Sequence, residues 1–515
     1  MEAIEITIFK HIFQSVCEEM GEILQYSAFS PNIKERQDFS CALFTTDGLS
    51  FAFGSHIPVH LGAMPLSLQA ALREMTFAPG DMVLMNDPYL GGTHLPDLTL
   101  IAPVFVQDTL TFYVANRAHH SDMGGMQAGS MPLANTIYQE GLIIPPVTLV
   151  RAQEPVADVM KLILANVRTP KERRGDIMAQ VAANRRGVAR LEEICACYGR
   201  HKTTAYALHL IAYTERLFTR FINTMPQGTY TFRDYLDDDG FGCLDIPIQV
   251  AVTAAPNLIT IDFNGSSPQV AGGVNANRAI TYSAILYVLT SLMGESIPIN
   301  SGIMRPVHIV LPPGSIVNAE RPAAMAAGNV ETSQRIVDVL LGALSQALPG
   351  RIPAASQGTM NNITIGGPGF AYYETIGGGT GAGPGYRGVS GVHSHMTNSM
   401  NTPIEAIERD LPVRMESYSL RQGSGGKGAY RGGDGLRRSY RFLAPCTISL
   451  LSERRRQPPY GLAGGSAGRR GSNRLTHQDR EQELPAKTNR TVQAGDVLCI
   501  DTPGGGGYGT PETGS

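Results

Sequence analysis

Residues 86–122 read NDPYLGGTHLPDLTLIAPVFVQDTLTFYVANRAHHSD. An Asn-Asp-Pro turn opens the stretch and a His-His pair closes it. The whole chain has 12 histidines, yet three of them fall here beside four aspartates. LTLIAPVFV (98–106) and LTFYVAN (110–116) are two extended segments, and Gln107-Asp108 between them is the expected turn of a hairpin. Pairing about that turn sets Asp97 opposite Ala118, which brings Asp97 beside His119, give or take one residue. His94 stands three residues before Asp97 on a loop fixed by Gly91, Gly92 and Pro96. His94, Asp97 and His119 are therefore expected to converge, and two imidazoles with a carboxylate suit zinc, manganese or iron(II). A one-residue slip would turn the side chains to the other face. Pro103 within the first segment calls for an edge position or a bulge. His120 and Asp122 follow directly, either as groups that orient a ligand or as polar loop residues.

The 515 residues exceed what one hydrophobic core holds, so two or three domains are expected. Hydrophobic content is 43 % and charged content 17 %, which is globular. A net charge of −3 and a pI near 6.5 give no electrostatic case for nucleic acid or an anionic membrane. The 57 glycines, 33 prolines and absence of Trp imply many tight turns, and the low charge fits a subunit that covers much of its surface with partners. The seven cysteines (17, 41, 195, 197, 243, 446 and 499) are odd in number and contain no CxxC pair. Buried free thiols in a reducing cytoplasm are expected, not a disulfide framework. The first residues, MEAIEITIFKHIFQSVCEEMGEIL, are acidic and amphipathic, unlike a signal peptide. The longest apolar run, AILYVLTSLM (284–293), is about half of a membrane span.

Residues 1–27 are expected to form a helix, with Ile4, Ile8, Ile12 and Val16 at helical spacing. A short strand and an Asp47-Gly48 turn follow, then a loop running into a helix before residue 75. Residues 81–150 read as strands and turns, and 156–225 as two or three helices interrupted by the basic RTPKERRGD (168–176). Alternation returns from 227, helices are expected near 280–293 and in VETSQRIVDVLLGALSQAL (330–348), and glycine is dense beyond 355. Strands and helices without regular βα alternation place the chain in the α+β class, multi-domain, with mixed sheets and a Gly-rich, mainly β C-terminal region. The expected division is 1–155 around the metal candidates, 156–410 as a central α+β region, and 411–515.

NDPYLGGTHLPD, RAHHSDMGGMQAGSMP and YQEGLIIPPV resemble the hydantoinase B family, as do SPNIKERQDFSCALF and SHIPVHLGAMP upstream. SHMTNSMNTPIEAIERDLPVR, LRQGSGGKGAYRGGDGL and TPGGGGYG resemble it downstream, so the likeness covers about residues 5–510. The family includes β subunits of ATP-dependent N-methylhydantoinases, 5-oxoprolinases and caprolactamase, and more distantly subunits of acetone and acetophenone carboxylases. The resemblance implies a cytoplasmic β subunit that works with a separate ATP-binding α subunit of actin-like fold, as an α2β2 heterotetramer. It implies that the α subunit phosphorylates an oxygen of a small cyclic amide and that the β subunit completes ring opening. It also implies a divalent metal (zinc, manganese or iron) held by His94, Asp97 and His119, with Asp38 of ERQDFS as a fourth ligand. His120 and Asp122 are then the candidates for catalytic base. No Walker-type phosphate loop is present, and GAGPGYRG and GGKGAYRGGDG read as turns, in keeping with ATP bound by the partner. Arg454–Arg456 read as a solvated or interface patch. A ketone carboxylase subunit is the alternative, and a non-catalytic scaffold the third reading; intact ligand positions disfavour the latter.

Overall fold

A computed structural model describes residues 3–54, 57–294 and 297–511. Strands β1 (Phe39–Phe44), β2 (Ser50–Phe53), β3 (Met82–Met85), β4 (Asp97–Val106), β5 (Thr109–His119), β6 (Val147–Arg151) and β7 (Glu154–Pro155) build one antiparallel sheet. Its order is β2-β1-β5-β4-β3-β6-β7, so the hairpin expected from the sequence, β4-β5, is its centre. Gln107 and Asp108 close that hairpin with φ of 51° and 58°, the backbone of a two-residue turn matched to strand twist. Phe105 pairs with Leu110 but Val104 pairs with Phe112, so Thr111 is an extra residue on β5. That bulge moves the register by one: Asp97 faces His119, where unbroken pairing would give Ala118. Pro103 precedes the bulge and lies past Ile101, the last described partner of β3, so its missing N–H breaks no ladder bond there.

Helices α1 (Ala3–Ser27), α2 (Pro31–Lys34), α3 (Ala63–Glu74), α4 (Ile137–Glu140), α5 (Ala157–Ala165), α6 (Pro170–Tyr198) and α7 (Arg200–Ile222) come with this sheet. The buried stripe of α1 is Phe9, Phe13, Val16, Met20 and Leu24; Ile4 and Ile8 of the expected stripe face solvent at 68 % and 45 % exposure. The break between α5 and α6 takes in Arg168 and Thr169 of RTPKERRGD, and the rest of the segment opens α6, with Pro170 in the first turn, where no backbone donor is lost. One core joins Phe9 and Phe13 to Leu43, Leu100 and Val114 of the sheet and to Ile177, Leu191 and Leu210 of α6 and α7. The expected boundary at residue 155 falls inside this core.

The other face of the sheet carries Met85, Ile101, Tyr113 and Ala115 into a second core. That core is shared with the sheet β11-β10-β9-β8, formed by β8 (Gly228–Asp238), β9 (Leu244–Ala255), β10 (Leu258–Asp262) and β11 (Val307–Val310). Burial alternates residue by residue along β9, as in a strand with one covered face. Helices α8 (Arg278–Met293) and α9 (Ser333–Ala347) complete the layer, and a π-helical turn, Gly328–Thr332, precedes α9.

The C-terminal part supplies β12 (Asn362–Gly367), β13 (Phe370–Glu374), α10 (Ile404–Asp410), β14 (Val413–Arg421), β15 (Gly435–Phe442) and β16 (Cys446–Leu451). It continues with β17 (Ser472–His477), β18 (Arg480–Leu484), β19 (Lys487–Val492) and β20 (Val497–Asp501). These make the sheets β13-β12-β16-β19 and β14-β15-β20-β17-β18 around Ile363, Tyr440, Ile448 and Leu498. The first sheet takes strands from both sides of residue 410. Arg454 is not a solvated patch: it is buried on Asp234 and Asp338, Arg455 binds Asn361 and Asn473, and only Arg456 is largely exposed, beside Asp245. All seven cysteines are free, but Cys197 and Cys243 are exposed, contrary to the expected burial. No described helix is long and apolar enough to cross a membrane.

Candidate metal centre

The loop before β4 is tied down at each residue type that marked it in the sequence. Asn86 is fully buried; its amide donates to Leu95 O and Leu142 O, and its oxygen accepts from Ile144 N–H. Asp87 caps the following short turn by accepting from Tyr89 N–H at 3.0 Å. Gly91 has φ +92°, and a Cβ there would lie 2.5 Å from the Leu66 backbone; one on Gly92 would lie 2.5 Å from Asn86 O. Asn277, the N-cap of α8, donates to Pro88 O and Gly92 O and ties the loop to the second layer. The Thr93 hydroxyl then donates to Asp97 Oδ2.

His94, Asp97 and His119 meet as expected. His94 Nε2 is 3.1 Å from Asp97 Oδ1, His119 Nδ1 is 3.2 Å from the same oxygen, and the two nitrogens are 3.2 Å apart. Ligand atoms about 2.0–2.2 Å from one ion stand about 3.0–3.5 Å apart, so this nearly equilateral triangle has the edge of a metal's ligand face. All three residues are buried, and they form a group whose ligand atoms could hold one ion. Burial pushes the Asp97 carboxyl up, but the imidazoles of His94, His60 and His119 outweigh it and hold Asp97 well below the usual carboxylate range. Burial lowers the His119 imidazole below its ordinary value, which keeps a nitrogen lone pair free. His94 Nδ1 and His119 Nε2, the nitrogens turned from the triangle, are buried without a hydrogen-bond partner among the described residues. An ionised carboxylate with two imidazoles, stripped of water, fits a divalent transition metal better than any neutral guest.

A cavity of about 20 Å³ adjoins the triangle, lined by Asp38, His60, Asp97, His119, Asn329, Val330, Met360, Tyr373 and Met396 among others. Asp38 sits on its wall and not within the triangle. It reaches that wall because β1 pairs with β5 from Phe39↔Ala118 onward, and Asp38 O accepts from His119 N–H at 3.0 Å. Tyr373 of β13 stacks on His119, with centroids 4.4 Å apart and planes at 15°. Arg36 joins the layers: its guanidinium lies 5.0 Å from the Tyr373 ring centre, donates to Tyr373 O and Thr375 Oγ1, and passes 3.7 Å from Asp38.

His120 and Asp122 are not brought to this cavity. Successive strand residues face opposite sides, so His120 leaves the end of β5 toward α6. There its Nε2 meets Gln180 Oε1 at 2.9 Å, and burial, then Arg173, lowers the ring to about 4. Asp122 accepts from the Arg168 backbone and side chain. His60 is the residue that spacing missed. Its Nε2 lies 3.3 Å from Asp97 Oδ2 and its Nδ1 is 3.0 Å from Ser40 Oγ. Nothing local in SHIPVHLGAMP ties His60 to the hairpin, 37 positions before Asp97.

The Hydantoinase B/oxoprolinase family model matches residues 2–511. 5-Oxoprolinase 1 of Arabidopsis thaliana is 39 % identical over 99 % of this chain and 42 % of its own length. An uncharacterized protein of Methanocaldococcus jannaschii is 40 % identical over 99 % of this chain and 91 % of its own. The chain thus spans about two fifths of the plant relative and nearly all of the archaeal one. Among solved structures, the ATP-dependent caprolactamase from Pseudomonas jessenii superposes with a TM-score of 0.93 at 28 % identity, over 99 % of this chain and 92 % of that one.

Proposed function

The chain belongs to the hydantoinase B/oxoprolinase family, and from that premise we propose that it is the metal-carrying β subunit of an ATP-dependent cyclic amide hydrolase. Its substrate is a lactam, hydantoin or 5-oxoproline ring whose amide oxygen has been phosphorylated by a partner α subunit of hydantoinase A type. The observation that carries the reading is the buried triangle of His94, Asp97 and His119 beside a cavity that Asp38 also lines. The caprolactamase likeness supports the substrate class, and the lack of a Walker-type loop supports ATP binding by another chain.

An unphosphorylated lactam is a poor electrophile. Phosphorylation fixes it as an imidate, with an electrophilic carbon and a basic ring nitrogen. Water adds its oxygen to that carbon, the C–N bond breaks, and both water protons end on the departing nitrogen as the amine. The acyl phosphate so formed takes up a second water, giving the carboxylic acid and inorganic phosphate. His94, Asp97 and His119 would hold the metal, with Asp38 as the fourth protein ligand. A bound divalent ion would supply Lewis acidity at this point. His60 and Thr93 keep Asp97 turned toward the triangle through its other oxygen. Tyr373, stacked on His119, shields one face from bulk water. Met360 and Met396 are the walls able to swing and admit a ring, since a thioether chain has three rotatable bonds.

The test is metal analysis of the chain and its His119→Ala variant, each co-expressed with the α subunit and assayed for ATP-dependent opening of hydantoin, 5-oxoproline and caprolactam. About one metal per chain, lost together with activity in the variant, is expected. Full activity in metal-free protein would overturn the reading.

A further inference from the structure

Asn329 stands on the π-helical turn Gly328–Thr332, where the chain enters α9. Such one-turn insertions are concentrated at functional sites. Its side chain is buried at 3 % exposure and lines the same cavity as Asp38, His60, Asp97 and His119. Its Oδ1 accepts no hydrogen bond from any described residue. The hydroxyl groups that line the cavity with it are already engaged. The Tyr373 hydroxyl donates to Asn362 Oδ1, the Thr375 hydroxyl accepts from Arg36, and the Thr397 hydroxyl meets Ser399. The Asn329 backbone is fixed as well, its N–H on Met325 O at 3.2 Å and its C=O on the Ser333 hydroxyl at 2.6 Å.

Leaving a buried amide oxygen unpaired costs about 1–3 kcal/mol, so the position calls for a donor from outside the protein. The cavity decides which donor. Its volume of about 20 Å³ exceeds the ~10–15 Å³ that one water requires. We propose that Asn329 is a positioning residue for the hydrolytic water: the water donates one O–H to Asn329 Oδ1, which turns a lone pair of its oxygen toward the incoming ring carbon. Asn329 takes no proton; both leave with the ring nitrogen as described above. The assignment rests on the hydrolase reading and adds to it the residue that orients the nucleophile.

Leu and Asp are both close in shape to Asn, and only Asp keeps an acceptor at this point. The test therefore pairs N329L with N329D, read by crystallography of chelator-treated chain and by steady-state kinetics of the complex with its α subunit. Expected in the wild type is density for one water about 2.7–3.0 Å from Asn329 Oδ1, absent in N329L and present in N329D. Expected kinetics are a loss of 30-fold or more in kcat for N329L with KM within twofold and metal content unchanged, and most of kcat kept in N329D. A dry wild-type cavity, an N329L variant with wild-type kcat, or an N329D variant as impaired as N329L would each overturn the assignment. Where N329L fails to fold by thermal melting, the water density and N329D decide alone. A wild-type complex that opens no cyclic amide would overturn the hydrolase reading instead, and the water density would still report whether Asn329 holds a water.

Discussion

Glu140 closes α4 and has no exposure to solvent. Its Oε1 accepts from the Met325 and Ala326 N–H groups, both at 2.8 Å, and its Oε2 has no described partner. These two backbone groups belong to the segment that runs into the π-helical turn carrying Asn329. Burial raises the Glu140 carboxyl from 4.5 to about 8, and the two N–H donors only partly oppose it. A carboxyl with a raised folded pKa holds its proton in the folded state after the unfolded chain has lost it. Stability from this group is therefore greatest below pH 4.5 and falls as pH rises toward 8. Integrating proton binding between pH 5 and pH 8 with those two values gives a loss of roughly 3–4 kcal/mol. Glu140→Gln keeps the acceptor for both N–H groups and cannot ionise. In urea unfolding at pH 5, 6, 7 and 8, the stability of the variant relative to wild type is expected to rise by about that amount across the series. Glu331 and Glu453, also raised by burial, to about 8 and about 7, contribute equally to both proteins and cancel in the difference. A variant offset that stays constant with pH, or that favours wild type increasingly as pH rises, would refute the reasoning.

The remaining expectations concern the centre and its loop. His60→Ala removes a group facing Asp97 Oδ2 and is expected to weaken metal binding by roughly 10–100-fold in a chelator competition; unchanged affinity would make His60 a packing residue. Asp38→Ala is expected to cut ring opening sharply, and full activity with metal retained would remove Asp38 from the required ligands. Gly91→Ala meets backbone at 2.5 Å with φ +92°, so a loss of at least about 2 kcal/mol in thermal stability is expected; a melting point equal to wild type would show that the loop relaxes freely. Metal removal is expected to lower the melting temperature, since an ion at 1,000 times its Kd contributes about 4 kcal/mol to the folded state. A wild-type melting temperature that a chelator leaves unchanged would refute a bound ion in the triangle.

The hairpin shows where reading by sequence succeeds and where it stops. Gln107-Asp108 and the flanking apolar runs specify a local turn and two paired strands, because a two-residue connection leaves the chain few other geometries. Proximity of Asp97 to His119 follows from that pairing, and His94 follows from a three-residue offset on a glycine-bound loop. Which residue faces Asp97 does not follow, since the bulge at Thr111 shifts the pairing by one and neither the turn residues nor the apolar pattern marks it. That one-residue shift also decides that His119 enters the cavity and His120 turns to α6. The α1 stripe failed for a similar reason: several apolar faces fit helical spacing, and only contact with the sheet and α6 selects Phe9 and Phe13 over Ile4 and Ile8.

The sequence by itself determined a mixed α+β chain, the central hairpin, three convergent side chains able to hold a metal and, through long motifs, the family. The tertiary structure alone decided the rest of the centre. His60 comes from a turn before α3, Tyr373 from an edge strand of another sheet and Asn329 from a π-helical turn at the head of α9. These residues lie 37 to 276 positions from Asp97 and meet it because the central sheet, the layer of α8 and α9 and a C-terminal sheet together enclose one cavity. Local propensity carries no information across such separations; burial of the shared core does.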